Sequence, residues 1–120
     1  MTEQEAIAIA QNWLHDWNQH NLDAILSHYA DDVEFTSPLI AKLTHHENGI
    51  ISGKAALREY FATGLAAYPD LKFEPLQILV GVNSIVIYYR SVQGLLAAEC
   101  ITLNSQGLIA HSTAHYSSAV

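Results

Sequence analysis

The stretch YYRSVQGLLAAECITL sets one arginine, Arg90, and one glutamate, Glu99, among residues that favour burial. Read as a hairpin with a two-residue Gln93-Gly94 turn, it pairs Val92 with Leu95 and therefore Arg90 with Ala97. Side chains alternate along a strand, so Glu99 shares a face with Arg90 as its diagonal neighbour, and Tyr88 lies across from Glu99. A guanidinium fork suits a carboxylate. Such a pair can bridge a wall, orient a ligand, or serve catalysis with Glu99 as acid or base. Arg90 would lower the Glu99 pKa and weaken it as a base near neutrality. One extra residue in the turn would send the two charges to opposite faces.

The other residues with chemical potential are aromatic or imidazole. Trp13, Trp17, Tyr29, Phe35, Tyr60, Phe61, Tyr88 and Tyr116 recur at core spacing. Large aromatics mostly fill cores, but Trp13, Trp17, Tyr60 and Tyr116 can also line a pocket for a flat apolar molecule. Phe35 and Ser37 on one side of a strand, together with Tyr88, join that candidate set. The chain has seven histidines. His111 and His115 share a strand face but stand roughly 13 Å apart, too far to hold one ion. The loop cluster His45, His46, Glu47 has no metal-ligand spacing, and His15, His20 and His28 read as solvated helix positions. No metal site, cofactor motif, Gly-rich phosphate loop or Ser-His-Asp arrangement is expected. Cys100 is out of phase with Glu99 and reads as packing on the outer side.

The elements that position these residues follow from periodicity. Ala6, Ala10, Trp13, Leu14 and Trp17 fall on one face of a helix from about Glu3 to Gln19. Asn21 is an N-cap for a short second helix carrying Leu22, Ile25, Leu26 and Tyr29. VEFTS alternates as a strand until Pro38 stops it, and LIAKLTHHENG reads as loop. A third helix follows Ser52-Gly53 with Leu57, Tyr60, Phe61, Gly64, Leu65 and Tyr68 on one face. Strands are predicted at about 72–82, 84–92, 95–103 and 108–116. Helices followed by an antiparallel meander make an α+β domain. SIVIYY is apolar at every position, so both faces of that strand need cover.

Bulk composition narrows the function. At 120 residues the chain is long enough for one core and is read as one domain, 1–120. A net charge of −7 with only five Lys and Arg argues against nucleic acid or an anionic membrane surface as partner. No apolar run approaches a membrane span. The N-terminus lacks the basic region of a signal peptide, and a lone Cys fits a reducing cytoplasm.

WNQHNLDAILSHYADDVEFTSP, GIISGKAALREYF and AAECITLNSQGLIAHSTAHY together resemble the nuclear transport factor 2-like superfamily, in its SnoaL-like branch. The resemblance spans nearly the whole chain. It implies a cystatin-like cone, a curved antiparallel sheet wrapped around three N-terminal helices, with an inner pocket and often a dimer packed through the outer sheet face. It also implies that the Arg90–Glu99 face lies inside the cone. In the related ketosteroid isomerases an Asp base precedes the Pro of the first strand, and Ser37 stands there. A Tyr donor on the first helix is matched by Trp13, and a protonated Asp donor on the penultimate strand by Glu99. With one of three positions keeping its chemical type, ketosteroid isomerisation is not implied. Neither long C-terminal strand offers the Asp of the polyketide cyclases, and only Arg90 and Glu99 could echo the Asp–Arg–Asp relay of the epoxide hydrolases.

Two function classes remain. One is a domain that binds a small apolar metabolite, with an Arg90–Glu99 polar end. The other is a cofactor-free isomerase, hydrolase, dehydratase or cyclase acting on a hydrophobic substrate. In either case a homodimer is expected through an outer face carrying Ile85, Ile87, Tyr89 and Cys100, with His111, Thr113 and His115 nearby.

Overall fold

A computed structural model describes residues 1–44, 46 and 48–118. His45 and Glu47 of the loop cluster lie outside these. Helix α1 (Glu3–Asn18) starts where the Thr2 hydroxyl accepts from the Glu5 N–H, with Glu3 and Glu5 in the first turn where the helix dipole favours them. Its buried stripe is the expected one, Ala6, Ala10, Trp13, Leu14 and Trp17. Helix α2 (Leu22–Leu26) is capped by Asn21 as expected. Tyr29 does not continue that helix: it opens strand β1 (Tyr29–Thr36).

The segment expected as loop after Pro38 is instead a short helix, α3 (Pro38–Leu43). Ser37 accepts from the Leu39 N–H as N-cap, and Pro38 occupies the first turn, where its missing N–H costs nothing. Strand β2 (Ile50–Ser52) and helix α4 (Lys54–Ala67) follow, then β3 (Glu74–Val80), β4 (Ser84–Arg90), β5 (Leu96–Leu103) and β6 (Ile109–Tyr116). Among the described residues no helix is long and apolar enough to cross a membrane.

The strands form one six-stranded sheet in the order β2-β1-β6-β5-β4-β3. The meander β3 to β6 is antiparallel, as expected. β1 lies parallel to β6, so the sheet is mixed. One face packs on the helices, and its rows can be followed across the strands. Ile85, Ile101 and Ser112 make one row, Ile87, Glu99 and Ala114 the next, and Tyr89, Ala97 and Tyr116 a third. The first two residues of β4 in these rows, Ile85 and Ile87, are fully buried, and Tyr89 is 2% exposed.

This inverts the expected faces of β4. Ile85, Ile87 and Tyr89 point inward, not to the outer face, while Tyr88 is 38% exposed on the outer side and Arg90 is exposed beside it. The cause is the turn. The β4–β5 connection runs from Ser91 to Leu95, closed by Ser91 N–H to Leu95 O and Leu95 N–H to Val92 O. Gln93 and Gly94 both take positive φ, 57° and 72°. The extra length pairs Arg90 with Leu96 rather than Ala97, and a slip of one residue exchanges every face. Periodicity could not detect the slip because both faces of SIVIYY are apolar.

Arg90 therefore pairs with Glu74 across β3 at 3.7 Å and donates to the Gly94 carbonyl at 3.2 Å, both at the surface. An exposed pair of this kind contributes under about 1 kcal/mol. Arg90→Ala should cost no more than that. Combined with Glu99→Gln, its effect should simply add, with a coupling below about 0.5 kcal/mol in a denaturant-melt double-mutant cycle. A larger coupling would restore the inward pair.

Candidate functional site

The helices and the inner sheet face enclose an aromatic cavity. Trp13 stacks on Phe73 at 5.7 Å and makes a T-shaped contact with Tyr89 at 5.6 Å, and Trp17 makes another with Phe61 at 4.7 Å. Phe35 and Tyr60 close a further side at 5.8 Å. The end of α1 fixes the Leu71–Phe73 segment against this cluster. The Asn18 amide accepts from the Phe73 N–H at 2.6 Å and donates to its carbonyl at 3.0 Å, and a His20 ring nitrogen lies 2.8 Å from the Leu71 carbonyl. The space open to the centre of a water molecule is about 60 Å³. That is room for about two waters at the roughly 30 Å³ each takes in the liquid, so a ring compound fits only as the lining side chains give way.

Of the expected site residues, Trp13, Trp17, Phe35, Tyr60, Glu99 and Tyr116 all line this cavity. Ser37 is buried beside it, where its hydroxyl caps α3 and holds the Tyr60 and Tyr116 phenols somewhat below where burial alone would put them. Tyr88 and Arg90 are excluded by the register of β4 and β5. Tyr29, Phe61, Phe73, Tyr89 and Ser112 were not anticipated as site residues. Phe73 lies before its strand, and the inward pointing of Tyr89 needed the true turn length. Ser112 could have been suspected from its parity with Tyr116.

Glu99 is the charged centre of the cavity, 2% exposed. Its Oε1 accepts from the Tyr89 hydroxyl at 3.2 Å and its Oε2 from Ser112 Oγ at 2.6 Å. Among the described residues it has no ion-pair partner. Burial pushes its pKa up to about 7, opposed by the two hydrogen bonds and by His115. The carboxyl is thus divided between acid and anion near neutrality. Burial, reinforced by the Glu99 charge, raises the phenols of Tyr29, Tyr89 and Tyr116 well above their ordinary value. They remain protonated donors. Trp13 Nε1 donates to the Tyr29 oxygen at 3.0 Å, inside the core. Cys100 lies on the outer side, partly covered, and among the described residues no three His, Cys, Asp or Glu side chains converge.

The cavity opens past Tyr68, Leu71, Ser91 and Val92. These four residues also border an open groove of about 320 Å³ between the α4–β3 link and the β4–β5 turn.

The SnoaL-like domain family matches residues 10–113. The chain belongs to the SnoaL-like family. A SnoaL-like protein of unknown function from Burkholderia thailandensis E264 is 38% identical, with 98% of each chain covered and a TM-score of 0.93. A nuclear transport factor 2-like protein of unknown function from Cytophaga hutchinsonii shares the fold at 13% identity, covering 92% of this chain and 88% of its own, with a TM-score of 0.72. TerC, crystallised with polyporic acid, does so at 16% identity and a TM-score of 0.75, covering 92% of this chain and 90% of its own. No curated protein matches the sequence. Within the SnoaL-like frame, this chain carries a hydroxyl, Ser37, before the proline and an unpaired carboxyl, Glu99, on the inner face of β5.

The Glu99 titration has a definite sign. Its pKa is higher folded than unfolded, so its contribution favours folding below about pH 4.5 and is lost as pH rises through about 7. A shift of this size corresponds to roughly 3 kcal/mol. Stability of the native protein should fall relative to Glu99→Gln between pH 5 and 8 in urea melts at matched ionic strength. Parallel profiles would mean that Glu99 is solvated.

Proposed function

We propose that this SnoaL-like protein binds a compact, neutral or weakly acidic ring compound in the aromatic cavity, with Glu99 as the polar contact. The observation that carries this is a carboxyl buried without a counter-cation at the wall of an aromatic cavity. An apolar residue there would stabilise the fold more, so the cost falls to function. A net charge of −7 repels polyanions. A fold relative crystallised with polyporic acid is compatible with a ring ligand.

Gly64 supports the same reading. It lies inside α4 and lines the cavity, and a Cβ there would meet nothing within 4 Å. No positive φ or close approach requires glycine at this place, and glycine costs about 1 kcal/mol against alanine in a helix. What it supplies is space. Gly64→Ala should raise stability by about 0.5–1 kcal/mol, whereas Gly64→Leu should keep the fold and abolish the thermal shift given by monocyclic phenols and ketones. Nucleotides and polyphosphates should give none with either protein. A Gly64→Leu variant that still binds would place the ligand elsewhere.

A second reading follows from the same carboxyl. With Arg90 at the surface, no adjacent guanidinium depresses the Glu99 pKa, and a value near 7 suits a group that moves protons. An enzyme acting by proton transfer, such as an isomerase, would use Glu99 directly. Conversion of a bound ketone lost in Glu99→Gln but not in Ser37→Ala would select this reading. Binding without conversion selects the carrier.

We also infer a dimer through the outer sheet face. That face carries Val86, Tyr88, Ala98 and Cys100 in the centre, with Thr113 and His115 beside them and Leu79, 52% exposed, on β3. Light scattering at micromolar concentration should give twice the chain mass, and Tyr88→Glu should give the chain mass. A native monomer would refute the dimer.

A further inference from the structure

The chain has two Trp, six Tyr and three Phe, and all but Tyr88 line the one cavity. Among the described residues Glu99 is the single charged group in that lining, and no Lys, Arg or His joins it. Arg90 is at the surface with Glu74, and His115 is exposed on the outer sheet face. The Glu99 charge is felt across the enclosure. Burial raises the phenols of Tyr29, Tyr60, Tyr89 and Tyr116, and the carboxylate pushes each further up, on β1, α4, β4 and β6 alike.

Three contributions to the potential in the cavity share one sign. An ionised carboxyl among buried rings is screened far less than one in water. Aromatic faces attract cations through their quadrupole, most strongly where water is excluded. The net charge of −7 adds the field of the whole protein. The Tyr89 and Ser112 hydroxyls that reach Glu99 are neutral dipoles, so they weaken the negative potential without reversing it. What the enclosure lacks is a positive charge, and a ligand can bring it.

We infer that the cavity takes a compact organic ammonium, its cationic head enclosed by the aromatic rings and balanced by the Glu99 carboxylate. This goes beyond the neutral ring compound proposed above and rests on the reading of the same cavity as the ligand site. Neutral compounds enter, anions are repelled, and cations gain a further attraction. A quaternary head suits the walls best. It spreads its charge over methyl groups and has no N–H to satisfy, whereas a primary ammonium brings three donors to a wall made mostly of rings.

The test uses choline and 3,3-dimethylbutan-1-ol, in which carbon replaces the charged nitrogen. Both ask the same space of the lining, so any yielding of side chains cancels in the comparison. Calorimetric titration in about 0.15 M salt screens the exposed charges. Under these conditions choline should bind the native protein about tenfold more tightly than the alcohol. In Glu99→Gln that preference should fall to about threefold or less, with affinity for the alcohol kept within about twofold. In Gly64→Leu both compounds should lose binding. The comparison on the native protein stands even if a variant folds poorly. Choline binding that survives in Gly64→Leu would put the cation on the acidic surface and overturn the inference. A preference unchanged in Glu99→Gln would overturn it too. Equal affinities, a tighter alcohol, or no choline binding where phenols or ketones bind would overturn it while leaving the cavity as a site for neutral compounds. Failure of choline, the alcohol, phenols and ketones alike would overturn the inference and the proposed function together.

Discussion

The energetic centre of this molecule is a carboxyl held out of water by aromatic rings and answered only by neutral hydroxyls. The two hydrogen bonds to Glu99 offset part of the desolvation cost, but among the described residues no cation pairs with it to complete the offset. Everything around it serves to keep that arrangement standing. The Trp13–Tyr29 bond braces the core beside it, the Asn18 clasp holds Phe73 in place, and the β4–β5 turn decides that Tyr89 rather than Tyr88 reaches the carboxylate.

Much of the fold is legible in the residues because local signals agree with the tertiary result. The Asn21 cap, the Trp13–Trp17 stripe and the turn at Asn104–Gly107 each act within a few residues and need no distant partner. β2 and the parallel β1–β6 pair are not legible. The first is three residues long, and the second joins segments about 80 residues apart.

The site was legible in its aromatics and in Glu99 but not in its pairing. A Gln-Gly dipeptide suggests the shortest turn, which would point Arg90 inward. The chain instead puts Gln93 itself in the left-handed region and lengthens the connection, so the arginine moves to the surface. The chemical consequence is large. With Arg90 adjacent, Glu99 would be a low-pKa carboxylate. Without it, Glu99 is a group divided between two protonation states in the physiological range.

The four residues shared by the cavity and the outer groove belong to two segments with no regular ladder between them, the α4–β3 link and the β4–β5 turn. A molecule bound behind Tyr68, Leu71, Ser91 and Val92 leaves past those two segments. Their spacing and mobility then bear on its residence time, together with the strength of its contacts. Homologous domains with the same inner wall could hold the same molecule for very different times by altering only these two segments, outside every residue that touches its polar atoms.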